Sequence, residues 1–451
     1  MSKEIKEKHP MREALMVGGI VFVASVTTGF LMAIPGTVVA TVSVIISVMI
    51  GLLVCLLGCM KNTKIANWIA CTMAIMFFGW IGVGGIDCDP PDDADLMLPQ
   101  SNIPYTSEGN GWVLLSNVLS RVEVLENETN LHSKAFATVK DNLLWYVDPE
   151  RYEIDSEAFP CLTNAATCDT YVKSCLKSNE WLLAGIDAVL ASPTYAPPPP
   201  VNLSGNQFFA YPELMPANKI LHINRSFMLA RIKWEIRKGN FDVAVECYGK
   251  SLRLATLLQA HSGAFFEYYA GTAMIWDDVS FLERMVDDNA IASDKLLAFG
   301  DLMKDVPDVS PEAAAQALKR EYAYFKEICK NRPADIVVDC IGGSGFDKVL
   351  FRSPFGRYYF CRYIFKPNQT LHAIAKSIRC AIQRERPNSK CEEDGCWRTS
   401  FMDAVLPNSF GRIVASTNYK HYLDRFKDVP EVVSSVRRKI AGRINASQDQ
   451  K

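Results

Sequence analysis

Charged residues are missing from three long stretches near the N-terminus of this 451-residue chain: 14–34, 37–60 and 65–86. The shortest has 21 residues, which as a helix would rise about 31 Å and cross the ~30 Å hydrocarbon core of a bilayer. Buried helices of a soluble core are the alternative, but they would need polar punctuation within each stretch. We therefore predict a three-helix transmembrane anchor over 14–86.

The orientation of this anchor follows from the cations that flank it: Lys3, Lys6, Lys8, Arg12, Lys61 and Lys64. Cationic flanks are retained in the cytoplasm, so residues 1–13 are predicted to form a cytoplasmic stub in a multi-pass cytoplasmic (inner) membrane protein. Residues 87–451 are then extracytoplasmic. A cleaved signal peptide is the alternative for the first stretch, but that stretch is longer than a usual signal-peptide core.

Local motifs for catalysis and metal binding are also absent. The six histidines form no HExxH motif, no CxxC is present, and GGSG at 342–345 lacks the GK[ST] ending of a phosphate loop. The pairs Asp277–Asp278 and Asp287–Asp288 diverge around a helix and are predicted to lie on solvated faces. We predict no cofactor and no metal. A cell-envelope enzyme with a site assembled from distant residues is the alternative to a binding role.

The charge of the chain is nearly balanced overall but divided along its length. A net charge of −2 and a pI near 6.3 argue against a nucleic-acid partner. Residues 87–350 hold 23 Lys/Arg against 38 Asp/Glu, whereas residues 351–386 hold eight against one. Charge compensation within the folded domain is the interpretation we favour. The alternative is a basic surface for lipid headgroups or an acidic partner, at Arg352, Arg357, Arg362, Lys366, Lys376 and Arg379.

Apolar residues at spacings of three and four predict an all-α exported domain. The helices are expected at 112–119, 136–144, 164–177, 179–190, 220–238, 241–254, 265–286, 293–303, 311–330, 368–383 and 432–444. Proline-containing segments between these helices mark the boundaries of the linkers and subdomains. We predict an extended, solvated linker at 87–110, a first helical subdomain at 111–191, a proline-rich linker at 192–213, and a second helical subdomain with irregular loops at 214–451.

The segment around Gly239 predicts a helical hairpin. Glycine permits the left-handed conformation that ends a helix, and Asn240 can cap the next one. Small Ala244 allows close helix packing. The segment resembles the turn of a tetratricopeptide repeat (TPR), in which the matching positions are Gly239, Asn240, Phe241, Ala244, Tyr248 and Leu252. The resemblance covers one repeat, with no second copy, and implies a TPR-like domain.

The exported part also resembles uncharacterised, membrane-anchored helical proteins of bacteria. The resemblance lies in SEGNGW near 107, EYAYF near 321, FKPNQT near 365 and PNSFGR near 407. It brings no known activity. We expect an extracytoplasmic helical scaffold or interaction module, held by the lipid bilayer and directed at a protein partner.

Two cysteines near the C-terminus are spaced closely enough to form a local disulfide. Cys391 and Cys396 enclose four residues, including Gly395, in a segment with little apolar content. We predict a disulfide between them, because exposed free thiols are disfavoured outside the cell. Two exposed thiols are the alternative.

Overall fold

A computed structural model describes residues 87–98, 109–127, 143–144, 146–148, 165–197, 217–304, 306, 311–331, 365–384 and 419–448. Several predictions fall outside these ranges. They are the stub at 1–13, the three predicted spans at 14–34, 37–60 and 65–86, most of the linker at 192–213, and the side chains of Arg352, Arg357, Arg362, Cys391 and Cys396.

The prediction of an all-α fold is confirmed. The described ranges contain twelve α-helices with defined ends, further helical residues at 143–144 and 146–147, and no β-strand; one isolated bridge joins Asn110 and Thr194. The helices are α1 (Gly111–Asn127), α2 (Ala165–Ser178), α3 (Glu180–Leu190), α4 (Ala217–Ile223), α5 (Leu229–Arg237), α6 (Phe241–His261), α7 (Phe265–Asp287), α8 (Leu296–Lys304), α9 (Pro311–Asn331), α10 (Pro367–Arg384), α11 (Tyr419–Asp424) and α12 (Val429–Gln448).

Most helix positions agree with the periodicity of the sequence, but two features were not predicted. The short helix α11 lacks the length that makes an apolar period visible. Between α4 and α5 the chain forms a π-turn, Asn224–Met228, in which one extra residue is inserted into a continuous helical path. None of the helices in the described ranges is both long and apolar enough to cross a bilayer.

The hairpin around Gly239 closes as a Schellman motif. Gly239 has φ of +75°, its N–H donates to the carbonyl of Ile236, and the N–H of Asn240 donates to the carbonyl of Glu235. Asn240 lies at the N-cap position of α6 as predicted, but its side chain forms no capping bond, and its Nδ2 donates to Oε2 of Glu235 at 2.8 Å instead. The backbone turn therefore ends α5 and starts α6 without that cap.

Helices α6 and α7 pack very closely. A Cβ added at Gly271 would lie 2.6 Å from the carbonyl oxygen of Ala255 and 2.7 Å from the backbone nitrogen of Gln259. Only glycine leaves room for this approach. These two helices form the centre of the described fold, and α4, α5, α8 and α12 pack around them.

The hydrophobic core is continuous across the predicted proline-rich linker. Leu115 and Ile186, from the first predicted subdomain, belong to the same buried cluster as Tyr248, Phe281 and Val436 from the second. The linker is described only at 192–197, and there Nδ2 of Asn110 donates to the carbonyl of Ala196 at 2.7 Å. Residues of both predicted subdomains thus share one core.

The linker after the predicted anchor, where the structure describes it at 87–98, is mostly exposed as predicted but is also docked onto the helical domain. The carboxylate of Asp87 accepts the N–H groups of Asn368 and Gln369 at 2.7 and 3.1 Å, and so caps α10. Asp93 accepts a bond of 2.7 Å from the Tyr322 hydroxyl, and Leu96 is fully buried. The sequence of 87–98 carries no helical period, so this docking depends on partners far along the chain.

Candidate functional site

A groove of about 290 Å³ lies between α3 and α6, with the segment from the π-turn to α5 beneath it. Its apolar lining comes from Leu183, Ala184, Ile186, Met228 and Val243, and its charged lining from Glu180, Asp187, Arg231, Glu246 and Lys250. Ala184, Val243 and Glu246 are exposed, so the groove is open to solvent. This volume is at the lower end of the range for ligand sites and suits a few side chains.

The sequence builds this groove from two helix faces that are not fully apolar. On α3 the buried residues are Leu182, Ile186 and Val189, which leaves Glu180, Leu183 and Asp187 toward the opening. On α6 the small Ala244 is fully buried, so its neighbours Val243 and Cys247 lie close to the groove. The rim is therefore polar and the floor apolar.

Lys250 connects the two walls of the groove. Its Nζ lies 2.8 Å from Oδ1 of Asp187 on α3 and 2.9 Å from Oε1 of Glu246 on its own helix. The Asp187 contact is the main reason that the pKa of Lys250 is raised. In turn, Lys250 lowers the pKa of Glu246. One cation thus neutralises part of the charge of two carboxylates.

The remaining charges leave the groove acidic. Arg231 has its Nε 2.8 Å from Oε1 of Glu235, one turn along its helix. Among the described residues no ion pair is formed by Glu180, which lies at the rim. The groove can therefore accept a cationic group next to an apolar one.

Cys247 adds a thiol to the groove lining. It is a free, half-buried cysteine, and burial raises the pKa of its thiol. A thiol in this state is a poor nucleophile at neutral pH. Within the described residues, no cluster of His, Cys, Asp and Glu side chains has the arrangement of a metal site.

Three carboxyl groups of α7 are buried, those of Glu267, Asp277 and Asp278. The predicted solvated face at Asp277–Asp278 is wrong, since these residues are 8% and 0% exposed. Asp277 accepts a bond of 2.6 Å from Nε of Arg225, and Asp278 contacts Asn224 and Ser251. The exposed Asp287 and Asp288 at the end of the same helix agree with the prediction.

The third buried carboxyl group of α7 is that of Glu267. Its Oε1 accepts a bond of 3.2 Å from the indole Nε1 of Trp112, and its Oε2 one of 2.5 Å from the N–H of Gly263. Burial raises its pKa to about 7, and these donors and Arg320 oppose that rise. No local sequence signal identified any of these three buried carboxyl groups.

The predicted hairpin residues lie beside the groove. Ala244 and Tyr248 are fully buried, Leu252 is buried and Phe241 is half-buried, whereas Gly239 and Asn240 are exposed. Tyr248 packs edge-on against Phe299 of α8, with ring centroids 5.6 Å apart. The hairpin thus supplies one wall of the groove from α6 and part of its floor from α5.

The alternative basic surface is only partly described. Arg379 bonds through Nε to Oδ2 of Asp95 at 2.9 Å and also donates to the carbonyl of Asp92, so it serves internal charge compensation. Lys376 is exposed on α10, the helix that carries Arg379, and Lys366 is half-buried just before the start of α10.

Comparison of the chain with protein-family models, curated proteins and solved structures finds no match.

Proposed function

We propose that this chain is a membrane-anchored helical interaction module whose groove holds a segment of a protein partner. The observation that carries the proposal is the open groove between α3 and α6, with its apolar floor and acidic rim. Helical grooves of this kind bind extended or helical segments through a few anchoring side chains. The TPR-like hairpin forms one side of the groove in this proposal.

The chemistry of the lining indicates the kind of partner. Three carboxylates face two cations, and Lys250 is already shared between Asp187 and Glu246. Glu180 is left to pair with an incoming charge. The occupant we propose is therefore a protein segment with a lysine or arginine flanked by small aliphatic residues.

The location of the module is also part of the proposal. The uncharged stretches at 14–34, 37–60 and 65–86 have the length of membrane spans, and the cation bias predicts that residues 87–451 lie outside the cytoplasm. Cys380 takes part in a disulfide bond, which supports an oxidising compartment. Docking of residues 87–98 onto α10 holds the helical domain close to the point where the third stretch ends.

Peptide binding tests the groove. Two pools of labelled peptides, alike except for a central Lys or Glu between aliphatic residues, are titrated into the detergent-solubilised full chain. We expect the lysine pool to bind and Ala184→Trp, which fills the groove, to weaken binding by about tenfold or more. The matched control is Ala298→Trp, on an exposed face of α8, which should bind like the wild type. Equal binding of the glutamate pool, or no effect of Ala184→Trp, would contradict the proposal.

Reporter fusions test the location independently of the groove. A reporter fused after Lys64 should lie in the cytoplasm, and one fused after Lys451 should lie outside. The same compartment for both fusions would rule out the proposed topology.

A further inference from the structure

Three buried polar side chains from three helical segments form a closed ring. Nδ2 of Asn224, in the π-turn, lies 2.9 Å from Oδ1 of Asp278 on α7. Oγ of Ser251, on α6, lies 2.7 Å from Oδ2 of Asp278 and 2.7 Å from Oδ1 of Asn224. The three residues are at most 1% exposed, so bulk solvent does not reach the ring.

The number of protons decides how this ring is bonded. Each of its three contacts needs one hydrogen, and the Asn224 amide and the Ser251 hydroxyl provide one each. Exchanging the oxygen and nitrogen of the amide does not change this count, because an amide oxygen would then face a carboxyl oxygen. The third hydrogen must therefore come from the carboxyl group of Asp278.

We infer that Asp278 is protonated in the folded protein near neutral pH and that its proton locks the π-turn against α6 and α7. The carboxyl O–H donates to Ser251, the Ser251 hydroxyl donates to Asn224, and the Asn224 amide donates back to Asp278. With the proton removed, two oxygen acceptors are left 2.7 Å apart without a hydrogen between them. The ring then opens at one contact.

The electrostatic surroundings agree with a neutral carboxyl group. Burial, together with the neighbouring charge of Asp277, raises the pKa of Asp278 to about 7, and the hydrogen bond donated by Asn224 opposes that rise. From the π-turn, Arg225 bonds to Asp277 rather than to Asp278. From α6, the Tyr248 hydroxyl donates to the backbone carbonyl of Asp278 at 3.3 Å, not to its carboxyl group.

The ring is coupled to the groove through the π-turn. Asn224 is the first residue of this turn and Met228 the last, and Met228 lines the groove floor. Loss of the Asp278 proton should therefore loosen the floor and weaken the groove as the pH rises through about 7. This consequence rests on the proposed function, whereas the protonation of Asp278 does not.

Asp278→Asn is the direct test, because the introduced amide keeps one donor and one acceptor and so imitates the protonated acid. We expect the melting midpoint of the detergent-solubilised full chain to be higher than that of the wild type at about pH 8 and similar at about pH 6. Glu267→Gln is the matched control. Both oxygens of Glu267 accept N–H groups, so an amide there loses one bond and should lower the midpoint at both pH values.

An infrared measurement tests the proton without relying on stability. The neutral-carboxyl C=O band of the wild type should lose intensity in Asp278→Asn at about pH 6. An unchanged band, or a midpoint for Asp278→Asn lowered at both pH values as in Glu267→Gln, would overturn the inference.

Alkylation of Cys247 reports the coupling to the groove. At one pH, the wild type and Asp278→Asn have the same intrinsic thiol chemistry, so any rate difference reflects access. We expect faster labelling of Cys247 in the wild type at about pH 8 and equal rates at about pH 6. Equal rates at both pH values would overturn the coupling, while the infrared result would still decide protonation. The peptide titration with Ala184→Trp decides the proposed function separately.

Discussion

Trp112 and Glu267 lie 155 positions apart in the sequence, and the indole Nε1 of Trp112 donates a hydrogen bond of 3.2 Å to Oε1 of Glu267. The two side chains are 5% and 1% exposed. The bond fastens α1 to the first turn of α7, on opposite sides of the predicted proline-rich linker. Because the acceptor is buried, the loss of the donor is costly.

Trp112→Phe should therefore destabilise the protein by about 1–3 kcal/mol, since it leaves a buried carboxylate oxygen without its donor. Denaturant unfolding of the full chain in detergent, followed by circular dichroism, measures the change. The matched control is Trp181→Phe. That ring is half-buried under the guanidinium of Arg121, 4.2 Å from the ring centroid, and a phenyl ring keeps this contact. A similar loss in both variants would show that ring size matters rather than the hydrogen bond.

The stability of the wild type should fall as the pH rises from about 5 to 8. The pKa of Asp278 and that of Glu267 are each raised to about 7, from ordinary values of 3.8 and 4.5. Between these limits the folded state binds more protons than the unfolded state, so the free energy of unfolding decreases with pH and levels off above the folded values. Thermal melting across this range measures the slope. Asp288→Asn, at an exposed position, should leave the slope unchanged. A wild-type stability that rises with pH over this range would refute the prediction.

Ala244→Leu should destabilise the protein by roughly 1–3 kcal/mol through overpacking, because Ala244 is fully buried in the hairpin. Ala260→Leu is the control, since residue 260 lies exposed on the same helix. Denaturant unfolding compares the two. An unchanged stability in Ala244→Leu would mean that the helices do not approach each other closely at this position.

Asp87→Ala should cost about 0.5–2 kcal/mol, the usual value of a helix cap, because it removes the acceptor for two N–H groups of α10. Hydrogen exchange at Asn368 and Gln369 locates the effect. Asp89→Ala is the control, because Asp89 contacts Nε2 of His372 through its backbone carbonyl, which the substitution keeps. Exchange at Asn368 and Gln369 in this variant should stay close to that of the wild type. Equal protection in Asp87→Ala would show that the cap is not formed in solution.

The sequence by itself determined the fold class, most of the helices and the turn at Gly239. These features depend on local properties: a period of three to four residues, and a glycine that can adopt positive φ. The predictions about Arg352, Arg357, Arg362 and the Cys391–Cys396 bridge stay predictions, because these residues lie outside the described ranges.

Only the tertiary structure decided which polar residues are buried and with what they pair. Asp278 meets Asn224 and Ser251 across 54 and 27 positions, and Arg379 meets Asp95 across 284. From its sequence neighbours alone, a carboxylate on a helix is predicted to be solvated. Its burial depends on hydrogen-bond partners from segments that are distant in the sequence, and no local sequence pattern predicts these contacts.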